Sequence, residues 1–394
     1  MNIKYPVFVI LILLFLMSCN SKKTTEEQSD SAEENYALSN ENEHFMIVGT
    51  YTDDESEAGI FLYRLDANSG ESEFLSAVEA KNPSYLTLSS GEKYLFATGE
   101  NGEDESSVSS FLFDKKNGKL SHINTQPTYG ADPCYIETDQ SASHLFTANY
   151  SGSSITVFSI DENGKISLPE MILPFSGSGT DSVRQQKSHL HSVRFSADYK
   201  FLFATDLGAD KIYRFDAMAS VFQGQPPISL SSMIAFDTSA GTGPRHFDFH
   251  PNGKYFYLLG ELSGEVIVYD YKYGDLIEKQ IVQSDTVGAR GSGDIHVSPD
   301  GKFLYSSNRL EADGIAIFAI SNEDGTLTKT GYQPTAKHPR NFAITPNGKL
   351  LLVASRDENK IEIYSIDQET GLLSNINNDI EVRKPVCVQF AAAN

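Results

Sequence analysis

The chain has 394 residues and a formal net charge of −22, from 53 acidic and 31 basic side chains. That balance argues against nucleic acid or an anionic membrane surface as a general partner, and it makes any local cluster of basic residues informative. The length suits one large all-β domain or two ordinary ones, and the absence of tryptophan weakens a reading as a WD-type repeat.

The N-terminal residues read as a leader. Lys4 supplies a positive charge, and the apolar run from Val7 to Met17 is too short to cross a bilayer comfortably. The run closes on Leu16-Met17-Ser18-Cys19, which resembles a bacterial lipobox. Residues 1–18 are therefore expected to be a lipoprotein signal peptide, with Cys19 the lipidated residue; an ordinary secretory signal and an uncleaved anchor are the alternatives. Residues 19–44 are polar, acidic and almost free of apolar side chains, so they cannot bury a core and are expected to be a disordered tether. The folded body, residues 45–394, is then expected in the cell envelope, periplasmic or on the outer membrane, and touching a membrane only through its lipid.

The folded part opens on "HFMIVGTYT" and "GIFLYRLD", a second and a third strand with no first. From there one unit recurs about every 47 to 57 residues: a strand, a tight turn, a strand ending in a polar residue, a third strand, another turn and a fourth strand. The turns after the first strands read "SSGEK", "PNGK", "PDGK" and "PNGK", with "QSASH" and "SADYK" as degenerate copies; Asn/Asp-Gly in such a place is hairpin chemistry because glycine tolerates positive φ. These Gly-Lys pairs are not phosphate loops, since none has the upstream glycine or opens a helix. First strands begin near Asn82, Pro133, His189, Pro244, Asp294, Pro339 and Pro385. The last has no second strand after it. The predicted fold is thus all-β, a seven-bladed propeller whose ring closes by pairing the C-terminal strand with the N-terminal ones. Cys134 and Cys387 fall just inside short strands, without metal-type spacing, and read as small buried apolar residues.

In each blade the first two strands form an antiparallel hairpin. The start of the first and the end of the second therefore share one face of the disc. That face collects Tyr51, Glu100, Asn149, Tyr150, Asp206, Glu261, Asn308, Arg309 and Arg356 from second strands, and His189, His191, Arg245, His246, Asp294, Arg340 and Asn341 from first strands. First strands are innermost, so these side chains are expected to crowd the channel mouth. Arginine offers a planar fork suited to carboxylate and phosphate. The structural alternative is that Arg and Glu only staple neighbouring blades; recurring histidine is not needed for that. His250 and His296 lie further along their strands and are expected to point elsewhere, and His338 is left open. The pair His189 and His191 lacks a third ligand at useful spacing, so no metal is expected. There is no G-x-S-x-G nucleophile elbow and no H-E-x-x-H.

The segments "GPRHFDFHPNGKYFYLLGELSGEVIVYDY", "DIHVSPDGKFLYSSNRLEADGIAIFAI", "ANYSGSSITVF" and "IVGTYT" resemble the lactonase-type seven-bladed propellers. That group includes bacterial 6-phosphogluconolactonases and fungal 3-carboxy-cis,cis-muconate lactonizing enzymes. The resemblance covers residues 45–390 and implies catalytic roles for His191, Arg245, Glu261 and Arg309. It implies a lactone hydrolase without cofactor: His191 as base, Glu261 orienting it, and the two arginines holding the oxyanion and any substrate anion. His189, His246, Asn149, Tyr150, Asp206, Asp294, Asn308, Arg340 and Arg356 are the candidate substrate contacts. The sequence departs from the family pattern at Asp294, where Glu is usual, at Arg356, where Gln is usual, and after Arg309, where Gly is usual. A non-enzymatic surface propeller binding a carbohydrate or protein, and a muconate-type lactonizing enzyme, are the competing readings. The substrate is expected to be a small anionic lactone and the protein a monomer.

Overall fold

The computed structural model describes residue 1 and residues 42–53, 57–217, 227–228 and 230–393. The segment expected to be a leader, Cys19 and most of the expected acidic tether lie outside the described residues. Seven sheets, each of four principal strands, form the ring, and the only helices among the described residues are two short 3-10 turns. Numbering blades from the first complete hairpin, blade 1 starts at Leu86–Leu88, blade 2 at Pro133–Thr138, blade 3 at Leu190–Phe195, blade 4 at Pro244–Phe249, blade 5 at Ser292–Val297 and blade 6 at Pro339–Ile344. Blade 7 is composite: its inner strand is Pro385–Ala392, and Glu43–Thr50, Ala58–Asp66 and Ser72–Glu79 complete it. The closing pair runs antiparallel from His44 opposite Ala392 to Thr50 opposite Pro385. The folded body therefore begins two residues before the expected boundary, at Glu43.

Second strands carry the core. Tyr94–Gly99, Tyr255–Gly260, Phe303–Asn308 and Leu350–Ser355 are buried along their whole length because a neighbouring blade covers each face. Cys134 and Cys387 are buried and unpaired, as expected of small apolar fillers.

The turn between first and second strands needs one residue in the left-handed region. Gly253, Gly301 and Gly348 take it in the three Asn/Asp-Gly turns, but Glu92, Ala142 and Tyr199 take it in the other hairpins. In "SSGEK" the glycine stands one place too early. Ala142→Gly should therefore raise stability by about 0.5–1 kcal/mol, read as a higher denaturant midpoint, since a Cβ there is strained.

The glycines after third strands have a second task. Gly164, Gly325 and Gly371 each have positive φ, and a Cβ on them would lie 2.4, 2.5 and 2.4 Å from Tyr94, Tyr255 and Phe303 of the preceding blade. Two tyrosines of the second strands fasten the same joints, Tyr257 donating to the Gly325 carbonyl and Tyr305 to the Gly371 carbonyl, each at 2.9 Å. Gly371→Ala combines backbone strain with a clash on a ring that cannot yield. It should cost about 2–4 kcal/mol, measured as a lower midpoint of unfolding.

Candidate active site

A repeated backbone irregularity aims the inner strands at the axis. In blade 4, Pro244 faces Gly260 while His246 faces Leu259, so Arg245 has no partner on the second strand. The same skip leaves out Cys134 in blade 2, His191 in blade 3 and Arg340 in blade 6. In blade 5 it falls at Gly293–Asp294. Such a bulge bends the strand and re-aims the extra side chain. In blades 2, 3, 4 and 6 it frees one residue of the inner strand from the ladder near the mouth.

Second-strand ends supply the counterparts. The Glu261 N–H bonds to the Gly243 carbonyl at 2.8 Å, which sets the carboxylate beside Arg245. Arg245 Nη1 donates to Glu261 Oε2 at 2.6 Å and also contacts His191 Nε2. Arg309 Nη2 lies 3.5 Å and His191 Nε2 3.8 Å from the same Oε2. Arg309 is fixed by donating to the Gly291 carbonyl at 2.8 Å and to the Ser292 carbonyl at 3.2 Å. His191, Arg245, Glu261 and Arg309, from blades 3, 4 and 5, thus form one cluster, with each residue 5% exposed or less.

Burial alone would raise the Glu261 pKa, but Arg245, Arg309 and Arg184 outweigh it and hold the carboxyl far below its usual range. Burial, then Arg245, His246 and Arg340, push His191 well down, so it is a neutral imidazole. Because Arg245 donates to Nε2, the ring proton sits on Nδ1, which faces Cys134 Sγ at 3.8 Å. Burial and Arg245 also pull Arg309 below the ordinary guanidinium value, with Glu261 opposing.

Around this cluster, Arg340 stands 5.4 Å over the Tyr51 ring and 3.5 Å from Glu100, and Tyr51 donates to Glu100 at 2.8 Å. The ring of His189 stacks on Tyr150 at 4.3 Å, and Tyr150 meets His191 edge-on at 5.3 Å. Behind the cluster, Asp294 is held by His246 Nδ1 at 2.7 Å and by His296 Nε2 at 2.9 Å. Burial and its cationic neighbours lower His246 to about 4, though Asp294 opposes them. Burial works against a charged His296 as well, but Asp294 and Asp248 prevail and raise it. Stacked Tyr85 and Tyr135, 4.0 Å apart, fill the middle of the channel. Beyond them a cavity of about 520 Å³ opens on the turn face, lined by Glu137, Arg194 and His296 among others. None of His191, Arg245, Glu261 and Arg309 lines it.

Several expectations need correction. Asn149 donates to Ser154 and Thr156 at 2.9 Å, Asp206 accepts N–H groups from His189, Gly208 and Ala209, and Asn308 accepts from Ser292 at 2.7 Å. All three tie strand ends within or beside their own blades, and none reaches the cluster. Arg356 turns aside to Asp357 at 2.6 Å and to His338, which also meets Arg309 at 3.3 Å. His246 and Asp294 sit behind the cluster, walled off from the mouth. His296 points away from the mouth as expected: it lines the turn-face cavity and meets Asp294 from two residues further along the strand. Arg184 was missed altogether. It lies on the longest blade-to-blade connection, residues 175–189, and bonds Glu261 Oε1 at 2.7 Å. Loop position gives no periodicity from which to read it; the length of the connection is the available signal.

The comparisons with known proteins fit this geometry. Residues 45–390 match the model of the lactonase family, a 7-bladed β-propeller. The chain belongs to the lactonase family of seven-bladed propellers. It is 40% identical over 351 residues, 88% of this chain and 99% of the relative, to a 6-phosphogluconolactonase of Formosa agariphila. A solved Bacteroides fragilis structure, described as a candidate 6-phosphogluconolactonase, shares 49% identity at a TM-score of 0.86, covering 89% of this chain and 98% of the other. The periplasmic gluconolactonase of Pseudomonas aeruginosa shares 30% identity at a TM-score of 0.82, covering 89% of this chain and all 100% of the other. Within the lactonase family, then, this chain carries a compact His, Arg, Arg, Glu cluster at the mouth of its ring.

Proposed function

We propose that the channel mouth opens a sugar-derived, anionic lactone by attack of water. Family membership makes the chain a lactone hydrolase of the 6-phosphogluconolactonase type; the substrate's charge and the roles of the residues are the proposal. The observation that carries it is the convergence of His191, Arg245 and Arg309 on one carboxylate. Counting the rim, four guanidiniums (Arg184, Arg245, Arg309 and Arg340) face two carboxylates (Glu100 and Glu261), an excess of positive charge in an acidic protein.

The chemistry needs only water. The substrate carbonyl draws the Arg245 fork onto its oxygen, which frees the lone pair of His191 Nε2. That nitrogen takes a proton from water as the water oxygen bonds to the carbonyl carbon. Arg245 and Arg309 hold the resulting oxyanion. The ring C–O bond then breaks, and the proton on Nε2 passes to the departing alkoxide, leaving a hydroxy acid and a neutral His191. Glu261 keeps the two arginines in place.

An address outside the cytoplasm is proposed from the Leu16–Cys19 motif, and the periplasmic Pseudomonas neighbour supports it. That address favours a lactone met in the envelope over an intermediate of cytoplasmic sugar metabolism. The test is a panel of sugar and carboxy-lactones offered to the purified chain and to His191→Ala. The variant should stay folded and lose orders of magnitude in turnover. A wild-type protein that opens no lactone faster than buffer ends the proposal. Because His191 is held neutral, kcat/KM should keep its value as pH falls through 6.5, the ordinary histidine value, and drop only in more acidic solution. A half-maximal rate at pH 6.5 would remove His191 from the role of base.

A further inference from the structure

We propose that Arg184, carried on the 175–189 connection, covers the unliganded site and turns from Glu261 to the remote anionic group of an incoming lactone, so that it selects phosphorylated or carboxylated lactones over neutral ones. The inference rests on the lactonase reading above.

All four members of the catalytic cluster are buried. Something must move before substrate can touch them. Arg245 and Arg309 have side chains only 3% and 6% exposed, whereas that of Arg184 is 38% exposed. The buried pair is also built into strands or bonded to backbone carbonyls. Among the described residues the Arg184 head bonds Glu261 Oε1 at 2.7 Å and the Tyr150 hydroxyl at 3.2 Å.

The base of the connection is fixed by bonds that do not involve the Arg184 side chain. Gln185 is buried and donates to the Leu207 carbonyl at 2.9 Å and to Asp210 at 2.7 Å. Asp181 accepts the N–H groups of Val183 and Arg184, both at 2.8 Å, and its other oxygen pairs with Arg290 from the connection into blade 5. The segment is thereby tied on both sides of the mouth. Loss of Arg184 does not orphan Glu261, which keeps Arg245 and Arg309. Arg184 is the exposed partner of a buried carboxylate that Arg245 and Arg309 also hold, so an entering anion can take over its fork without leaving Glu261 uncompensated. A planar fork then offers two parallel hydrogen bonds to phosphate or carboxylate.

The experiment compares the wild type with Arg184→Ala on three substrates: 6-phosphoglucono-1,5-lactone, D-glucaro-1,5-lactone and uncharged glucono-1,5-lactone. The kcat/KM ratio of an anionic lactone to the neutral one should fall about tenfold in the variant, mainly through KM. A fall for the phosphate alone or the carboxylate alone identifies the anion and supports the proposal. A fall smaller than threefold for both overturns it, whatever happens to overall activity, because a merely structural loop would affect all three alike. Thermal melting checks the fold, and Arg184→Gln gives the same readout should the alanine variant melt early. If the wild type opens none of these lactones, the lactonase reading fails separately. Calorimetric titration with 6-phosphogluconate then decides: binding at least threefold weaker in the variant supports the role of Arg184, and equal binding or none overturns it.

Discussion

Deleting residues 385–394 should abolish cooperative folding. The inner strand of blade 7 would disappear, leaving Glu43–Thr50 with an unpaired edge and removing the strand nearest the axis from between the first and sixth blades. Val386, Cys387, Val388 and Ala391 leave the core, and the Asn341 side chain loses the Val388 N–H it accepts at 2.8 Å. The innermost strands of blades 1 and 6 lose the neighbour they pack against. The lost packing and pairing rival the whole stability of an ordinary domain, about 5–15 kcal/mol. Circular dichroism during heating should show no sharp transition, and the exposed strand edge should make the truncated chain aggregate. A truncated protein that melts sharply within a few degrees of the full chain would show that closure contributes little.

Arg245→Ala should cost about 10²- to 10³-fold in kcat on any lactone the protein opens, the range for losing one preorganised oxyanion donor. Stability should fall as well, by less than for Glu261→Ala. Without Arg245, Glu261 still has Arg184 and Arg309; without Glu261, buried guanidiniums face one another with no counter-charge. Removing one partner of a buried pair typically costs about 3–5 kcal/mol, so Glu261→Ala belongs at or above that range. The pH dependence has a definite sign. The folded carboxyl of Glu261 lies far below its ordinary value of 4.5, so the stabilisation it gives is complete above that pH and is lost as acid protonates it. Urea midpoints of the wild type should fall between pH 5 and pH 3 more steeply than those of Glu261→Gln. Parallel curves would show that this carboxylate does not govern acid stability.

The ring was readable because its punctuation repeats. Asn/Asp-Gly turns, alternating third strands and an unpaired first strand at the C-terminus fix seven blades and their closure. The cluster was readable because hairpin register needs only the turn and two strand lengths, and it carries Arg245 to Glu261. Other details depend on features that composition does not mark. The inner-strand bulge shifts the alternation of sides by one residue, and Asp294, which falls in it, turns to His246 and His296 rather than to the mouth. Asn149, Asp206 and Asn308 have side chains short enough to bond adjacent strands, so sharing an end of the disc did not bring them to the mouth. Arg184 sits on a loop with no periodicity, where sequence position carries no direction.

The inner-strand bulge has a consequence for how such rings diversify. The skipped residue forms no ladder pair with the second strand, so exchanging Cys134, His191, Arg245 or Arg340 leaves the pairing register intact. Architecture and chemistry are to that extent decoupled: side chains at four positions around one aperture can change without shifting a ladder pair. Libraries confined to these four positions offer a route to other ring-opening specificities on the same disc.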